Sequence, residues 1–92
     1  MISLERVKAV LRIEDIEGYI EYHGAPDDEY DSEAEAITNA LNALNGTDLT
    51  EEEALSVITP LWMTFFNLDD DEIKKRIPHI RNAVQALLHS YL

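Results

Sequence analysis

The sequence predicts an all-α fold: a compact bundle of four main helices, with one short helix after the first and a Pro-kinked central helix. Three observations predict it. Apolar residues recur at i, i+3, i+4 and i+7 through four segments of the chain, the period of a helix with one buried face. Three of those segments open on a capping-box pattern, at Ser32/Glu35, Thr50/Glu53 and Asp69/Glu72. The 92 residues, 46% of them hydrophobic, suffice for one core and are too few for two, so residues 1–92 are expected to form a single domain.

The first helix is expected from Leu4 to about Ile13, with Ser3 as N-cap and Leu4, Val7, Val10 and Leu11 on one face. Asp15 reads as a second N-cap, opening a short helix that carries Ile16, Tyr19 and Ile20 and stops at Gly24. Ala25-Pro26 enforces an extended exit, because the residue before proline avoids the helical region. A helix from about Glu33 to Asn45 follows the Ser32 cap, with Ile37, Ala40, Leu41 and Leu44 inward and Asn45-Gly46 closing it. The segment after Thr50 carries Leu55, Val57, Ile58, Leu61, Trp62, Met63, Phe65 and Phe66, which cover roughly two-thirds of a helical wheel. That breadth predicts a central helix packed on several sides, kinked at Pro60. The last helix keeps Ile73, Ile77, Ile80, Val84, Leu87, Leu88 and Tyr91 in one phase across Pro78, which predicts a bent but continuous element.

Charge is distributed unevenly. The net charge is -12, and all seven basic residues lie near the ends: Arg6, Lys8 and Arg12, then Lys74, Lys75, Arg76 and Arg81. From Ile13 to Ile73 there are 18 acids and no base. A field of that sign repels nucleic-acid phosphates and anionic lipid and steers basic partners inward, so no nucleic acid and no membrane is expected among its partners. No apolar run approaches the roughly 20 residues of a membrane span. There is no cysteine, and Met1 leads directly into a charged periodic segment, which makes the cytoplasm the expected location.

The acids concentrate between Glu14 and Glu35, where 22 residues hold ten carboxylates, three of the four tyrosines and no Lys or Arg. Within this stretch Ile16-Glu17-Gly18, followed by Gly24-Ala25-Pro26-Asp27-Asp28-Glu29-Tyr30-Asp31-x-Glu33, resembles the signature of a family of short, uncharacterised bacterial helical proteins. Their acidic loop has the form G-x-P-x-D-E-Y-D-x-E and leads into a helix. The W-D-P-x-G segment that often precedes it in the family is represented here by Asp15 and Gly18 alone. The resemblance covers about a quarter of the chain and implies an all-α fold with no known activity. By analogy of size and charge alone, some such acidic proteins are immunity proteins that block a basic toxin.

Catalytic and metal chemistry find little support in the residue pattern. Asp27, Glu29, Asp31 and Glu33 alternate as calcium ligands do, but the sixth and twelfth positions counted from Asp27 are Ser32 and Thr38 rather than Gly and Glu. His23, His79 and His89 include no pair at i, i+4 and have no cysteine beside them, so no metal and no cofactor is expected. Carboxylates acting as acid and base need an apolar pocket that raises one pKa, and these lie in a polar stretch. No nucleophile elbow or phosphate loop is present, and the chain is not expected to be an enzyme.

Three functional expectations follow. The first is a protein-interaction module that binds a basic protein partner, in an inhibitory, immunity or regulatory role, through Asp15, Tyr19, Tyr22, Asp27, Asp28, Glu29, Tyr30 and Asp31. The second is weak metal or small-ligand binding by the same loop. The third is a structural loop, in which Tyr30 tucks under the helices while carboxylates cap amides and pair with Arg12 or Arg76. Trp62, Phe65 and Phe66 read as core, with an arc wide enough to seal a homodimer as well.

Overall fold

Side-chain caps fix where three of the helices begin. In the computed structural model, which describes residues 2–26, 28–44 and 49–89, Ser3 accepts from the Arg6 amide and starts α1 (Leu4–Glu14). Thr50 and Glu53 form a complete capping box at the head of α4 (Glu51–Phe66). Asp69 and Glu72 exchange the same two bonds, at 2.8 and 3.1 Å, before α5 (Asp70–His89). Between them lie the five-residue α2 (Tyr19–His23) and α3 (Asp31–Ala43). The first turns of α3, α4 and α5 carry Asp31 and Glu33, Glu51 to Glu53, and Asp70 to Glu72. Carboxylates there face the positive ends of the helix dipoles, which accounts for part of the acidic composition without any partner.

Two expected boundaries differ. α3 begins at Asp31, so Ser32 is inside the helix and its hydroxyl donates to Glu33 Oε2 instead of capping. Asp15 is the C-cap of α1, in the left-handed region at φ +47°, and its amide closes back onto Leu11 O. Its carboxylate nonetheless serves the start of α2, as described below. The Asn45-Gly46 stop, Asp27 and Tyr91 lie outside the described residues.

The four long helices close a ring: α1 packs on α3 and α5, and α4 packs on α3 and α5. α4 is therefore not a central helix, which corrects the reading taken from its wide apolar arc. Only Ala54, Ile58 and Trp62 are buried on it, while Leu55, Val57, Leu61, Met63, Phe65 and Phe66 are half-buried along the flanks of the core. It runs unbroken through Pro60, which is exposed, and α5 likewise continues through Pro78. The core lies between Val7, Val10 and Leu11 of α1, Ile37 and Leu41 of α3, Ile58 and Trp62 of α4, and Ile80, Val84 and Leu87 of α5. Thr38 is the one buried polar residue among those described, and its hydroxyl donates to Ala34 O at 2.7 Å. No helix among the described residues is long and apolar enough to cross a membrane.

Burial separates two isoleucines of identical chemistry: Ile80 is 0% exposed and Ile13 is 66% exposed. Ile80→Ala should cost about 2–5 kcal/mol through lost burial and the cavity left behind. Ile13→Ser should stay within about 0.5 kcal/mol of the parent. Chemical denaturation of both variants checks the contrast.

Candidate docking site on the acidic segment

Two carboxylates of the acidic segment face inward. Glu17 sits just past the end of α1 with its side chain only 4% exposed. Its two oxygens take a fork from Arg76 of α5, Nε to Oε2 at 3.1 Å and Nη2 to Oε1 at 3.0 Å. Trp62 of α4 donates its indole N–H to Oε2 at 2.8 Å. A buried carboxylate is tolerable only with such a set of charged and neutral donors, and the planar guanidinium supplies two of them in parallel. Glu17 holds Arg76 firmly in its charged form, chiefly through these hydrogen bonds. The pair joins the α1–α2 corner to α4 and α5 at once.

Asp15 is the second inward carboxylate. It accepts from the amides of Ile20 at 3.2 Å and Glu21 at 2.9 Å, donors that open α2 and have no partner within it. Tyr30, only 2% exposed at the head of α3, donates its hydroxyl to Asp15 at 2.6 Å and accepts from the Glu17 amide at 3.2 Å. Burial pushes the Asp15 carboxyl up, but the bonds from Tyr30 and from the amides of Glu21, Ile20 and Tyr19 outweigh it and hold the group below its ordinary value. Burial, with the Asp15 carboxylate next to it, keeps the Tyr30 phenol protonated well past its usual range. Around these groups runs an aromatic cluster. Tyr19 stacks on Tyr30 with centroids 6.3 Å apart, Tyr30 lies 5.9 Å from Trp62, and Phe66 lies 4.9 Å from Trp62 and 5.8 Å from Tyr19.

The eight residues expected to bind a partner therefore divide. Asp15 and Tyr30 are engaged internally, and Tyr19 is half-buried between Tyr30 and Phe66, so none of the three is a free anchor. Asp31 is half-exposed and lies 3.7 Å from Lys8 Nζ. Tyr22, Asp28 and Glu29 are exposed, and Asp27 falls outside the described residues. Trp62 is 0% exposed and has no surface to offer a second copy, whereas Phe65 and Phe66 are half-buried.

The outer face is the counterpart of that inner one. From Glu21 to Glu29 every described residue except Ala25 is exposed. Tyr22 stands out at 76% exposure. Glu21, Asp28 and Glu29 have no ion pair among the described residues. Beside this stretch, Glu5, Lys8, Ala9, Arg12, Asp28 and Asp31 line an open polar cleft of about 290 Å³ between α1 and the head of α3. Lys8 neutralises its floor at 3.7–3.8 Å from Asp31 and Glu5, at exposures where such pairs contribute little stability. Among the described residues no three His, Asp or Glu side chains are grouped to hold a metal ion. Glu14 binds His79 Nδ1 at 3.1 Å and Asn82 at 3.4 Å, which ties the end of α1 to α5.

Arg76 was expected to pair with a carboxylate of this segment and Trp62 to lie in the core; the residue that sequence reasoning missed is Glu17, which joins them. The available signal was an indole that needs an acceptor once buried. No protein-family model, curated protein or solved structure matches the chain.

Acid should loosen this corner. Asp15 lies below its ordinary value of 3.8 in the folded chain, so the unfolded chain binds the proton first. Its contribution is complete above that value and is lost as pH falls through the lower folded value. Tyr30 has the opposite sign: its contribution is present below pH 10.0, the ordinary phenol value, and is lost only as pH rises through its raised folded value. Denaturation curves across the acidic range should show the wild type losing stability more steeply than Asp15→Asn, which carries no titrating group at that position.

Proposed function

We propose that this protein is a small interaction module that docks a basic protein partner through the outward strip of Glu21, Tyr22, Asp28 and Glu29, in an inhibitory, immunity or regulatory role. The observation that carries the reading is Tyr22. A large aromatic side chain stands 76% exposed on a helix whose neighbouring tyrosine, Tyr19, is packed inward. Carboxylates without internal partners flank it in the same stretch. Asp15, Glu17 and Tyr30 anchor the segment from beneath, and while the Asp15 carboxylate holds the amides of Ile20 and Glu21 the ordering cost of association is lowered.

Such a surface divides the work between two kinds of group. Long-range attraction from Glu21, Asp28 and Glu29, backed by the net charge of -12, raises the encounter rate with a cationic surface and disfavours acidic competitors. The aromatic ring supplies apolar contact area at low entropic cost and slows dissociation once docked.

Affinity capture on the immobilised protein at low and high salt, from cells that express it, should yield a partner of high isoelectric point held more strongly at low salt. With that partner, Glu21→Gln/Asp28→Asn/Glu29→Gln should slow association and flatten its salt dependence. Tyr22→Ala should instead speed dissociation, weakening affinity by about tenfold or more. Both variants should melt with the wild type. Unchanged kinetics in both would remove the proposal.

A further inference from the structure

α2 differs from the other helices in how it is held. It has no buried residue and takes part in none of the four interfaces that close the bundle. Both of its ends are glycines at positive φ, Gly18 at +74° and Gly24 at +67°, where the backbone rotates without the cost a Cβ would impose. Gly18 has a further reason to lack a side chain: a Cβ there would meet the Tyr22 ring at 2.8 Å, whereas one at Gly24 would meet nothing within 4 Å. Three contacts hold the helix down, the first being Ile20, half-buried against the edge of the core. The others are specific. One is the Asp15 carboxylate on the amides of Ile20 and Glu21, and the other is the Tyr19 ring between Tyr30 and Phe66.

The firm anchors lie outside this span. Glu17, with Arg76 and Trp62, precedes the first glycine, and buried Tyr30 follows the second. Movement between the two glycines would unpack Tyr19 and Ile20 from the edge of the core while leaving the four helix interfaces and the Glu17 anchor in place. We infer that residues 18–24 form a hinged flap, pivoting on Gly18 and Gly24 and latched by the Asp15 carboxylate, which fixes or frees the position of Glu21 and Tyr22. The consequence for a partner rests on the docking reading above; the hinge and the latch do not. A closed latch presents Tyr22 in one place. Release of the latch makes association bear the cost of refastening it, which lowers apparent affinity by the fraction of molecules that are closed.

Amide hydrogen exchange tests this without any partner. In the wild type, the amides of Ile20, Glu21, Tyr22 and Ala25 should show measurable protection, though less than those of α4 and α5. Asp15→Asn keeps a residue that tolerates the left-handed cap of α1 while removing the charge. It should lower protection of those four amides by about tenfold or more and leave α4 and α5 as in the wild type. Gly24→Ala, which touches no neighbour but strains the closed backbone, should do the same and serves if the first variant does not fold. Three results would overturn the flap: no protection of these amides in the wild type, equal loss across α2 and α4, or no change in the variants. None of them bears on whether the strip docks a partner, and failure to find a partner would leave the flap standing.

Discussion

A carboxylate in a nearly dry position governs this molecule. Glu17 is 4% exposed, and a bare anion there would be expensive enough to unfold its surroundings. The fork of Arg76 and the indole N–H of Trp62 make it tolerable, and in doing so they require α4, α5 and the α1–α2 corner to meet at one point. A hydrophobic triad of similar volume would serve stability as well or better. What the ionic version adds is direction: only one placement of the corner satisfies all three bonds, so the chain leaving α1 has its path set before α2 begins.

That constraint explains why one acidic stretch has two faces. Asp15 and Glu17 point inward, and each meets donors that no solvent-facing arrangement would need. Glu21, Asp28 and Glu29 are exposed and meet none among the described residues. Tyrosines sort in the same way, Tyr30 beneath and Tyr22 above, with Tyr19 between them. The structural and the docking readings of the segment are thus not rivals. The inner groups fasten a platform, and the outer groups are what that platform displays. Local stability follows the same gradient, from the buried anchors at Glu17 and Tyr30 to the glycine-bounded α2 between them.

The helices were legible in the sequence because their signals are local. Ser3, Thr50 and Asp69 cap where their side chains can reach the nearest free amides, and the apolar phase of α5 survives Pro78 because a proline ring is tolerated on the solvent side. Where a short-range rule misled, a longer-range contact had taken over. Ser32 matches a cap by pattern, but α3 starts two residues earlier, with buried Tyr30 at the cap position. The broad apolar arc of α4 suggested a surrounded helix, yet a helix in a ring of four can use a wide arc to cover core flanks. The inner half of the site was legible in part: Tyr30 tucked under the helices and a carboxylate paired with Arg76 were among the expectations, but that Glu17 is the carboxylate was not, since the two are 59 positions apart and no spacing rule joins them.

The central claim is that Glu17 and Arg76 act as one unit, and a double-mutant cycle in denaturant measures this directly. Glu17→Gln and Arg76→Met should each cost about 3 kcal/mol, because each strands a partner, while the double variant should fall short of the sum by more than about 1 kcal/mol. Strict additivity, or single variants as stable as the wild type, would show that the buried carboxylate does not hold the corner in place.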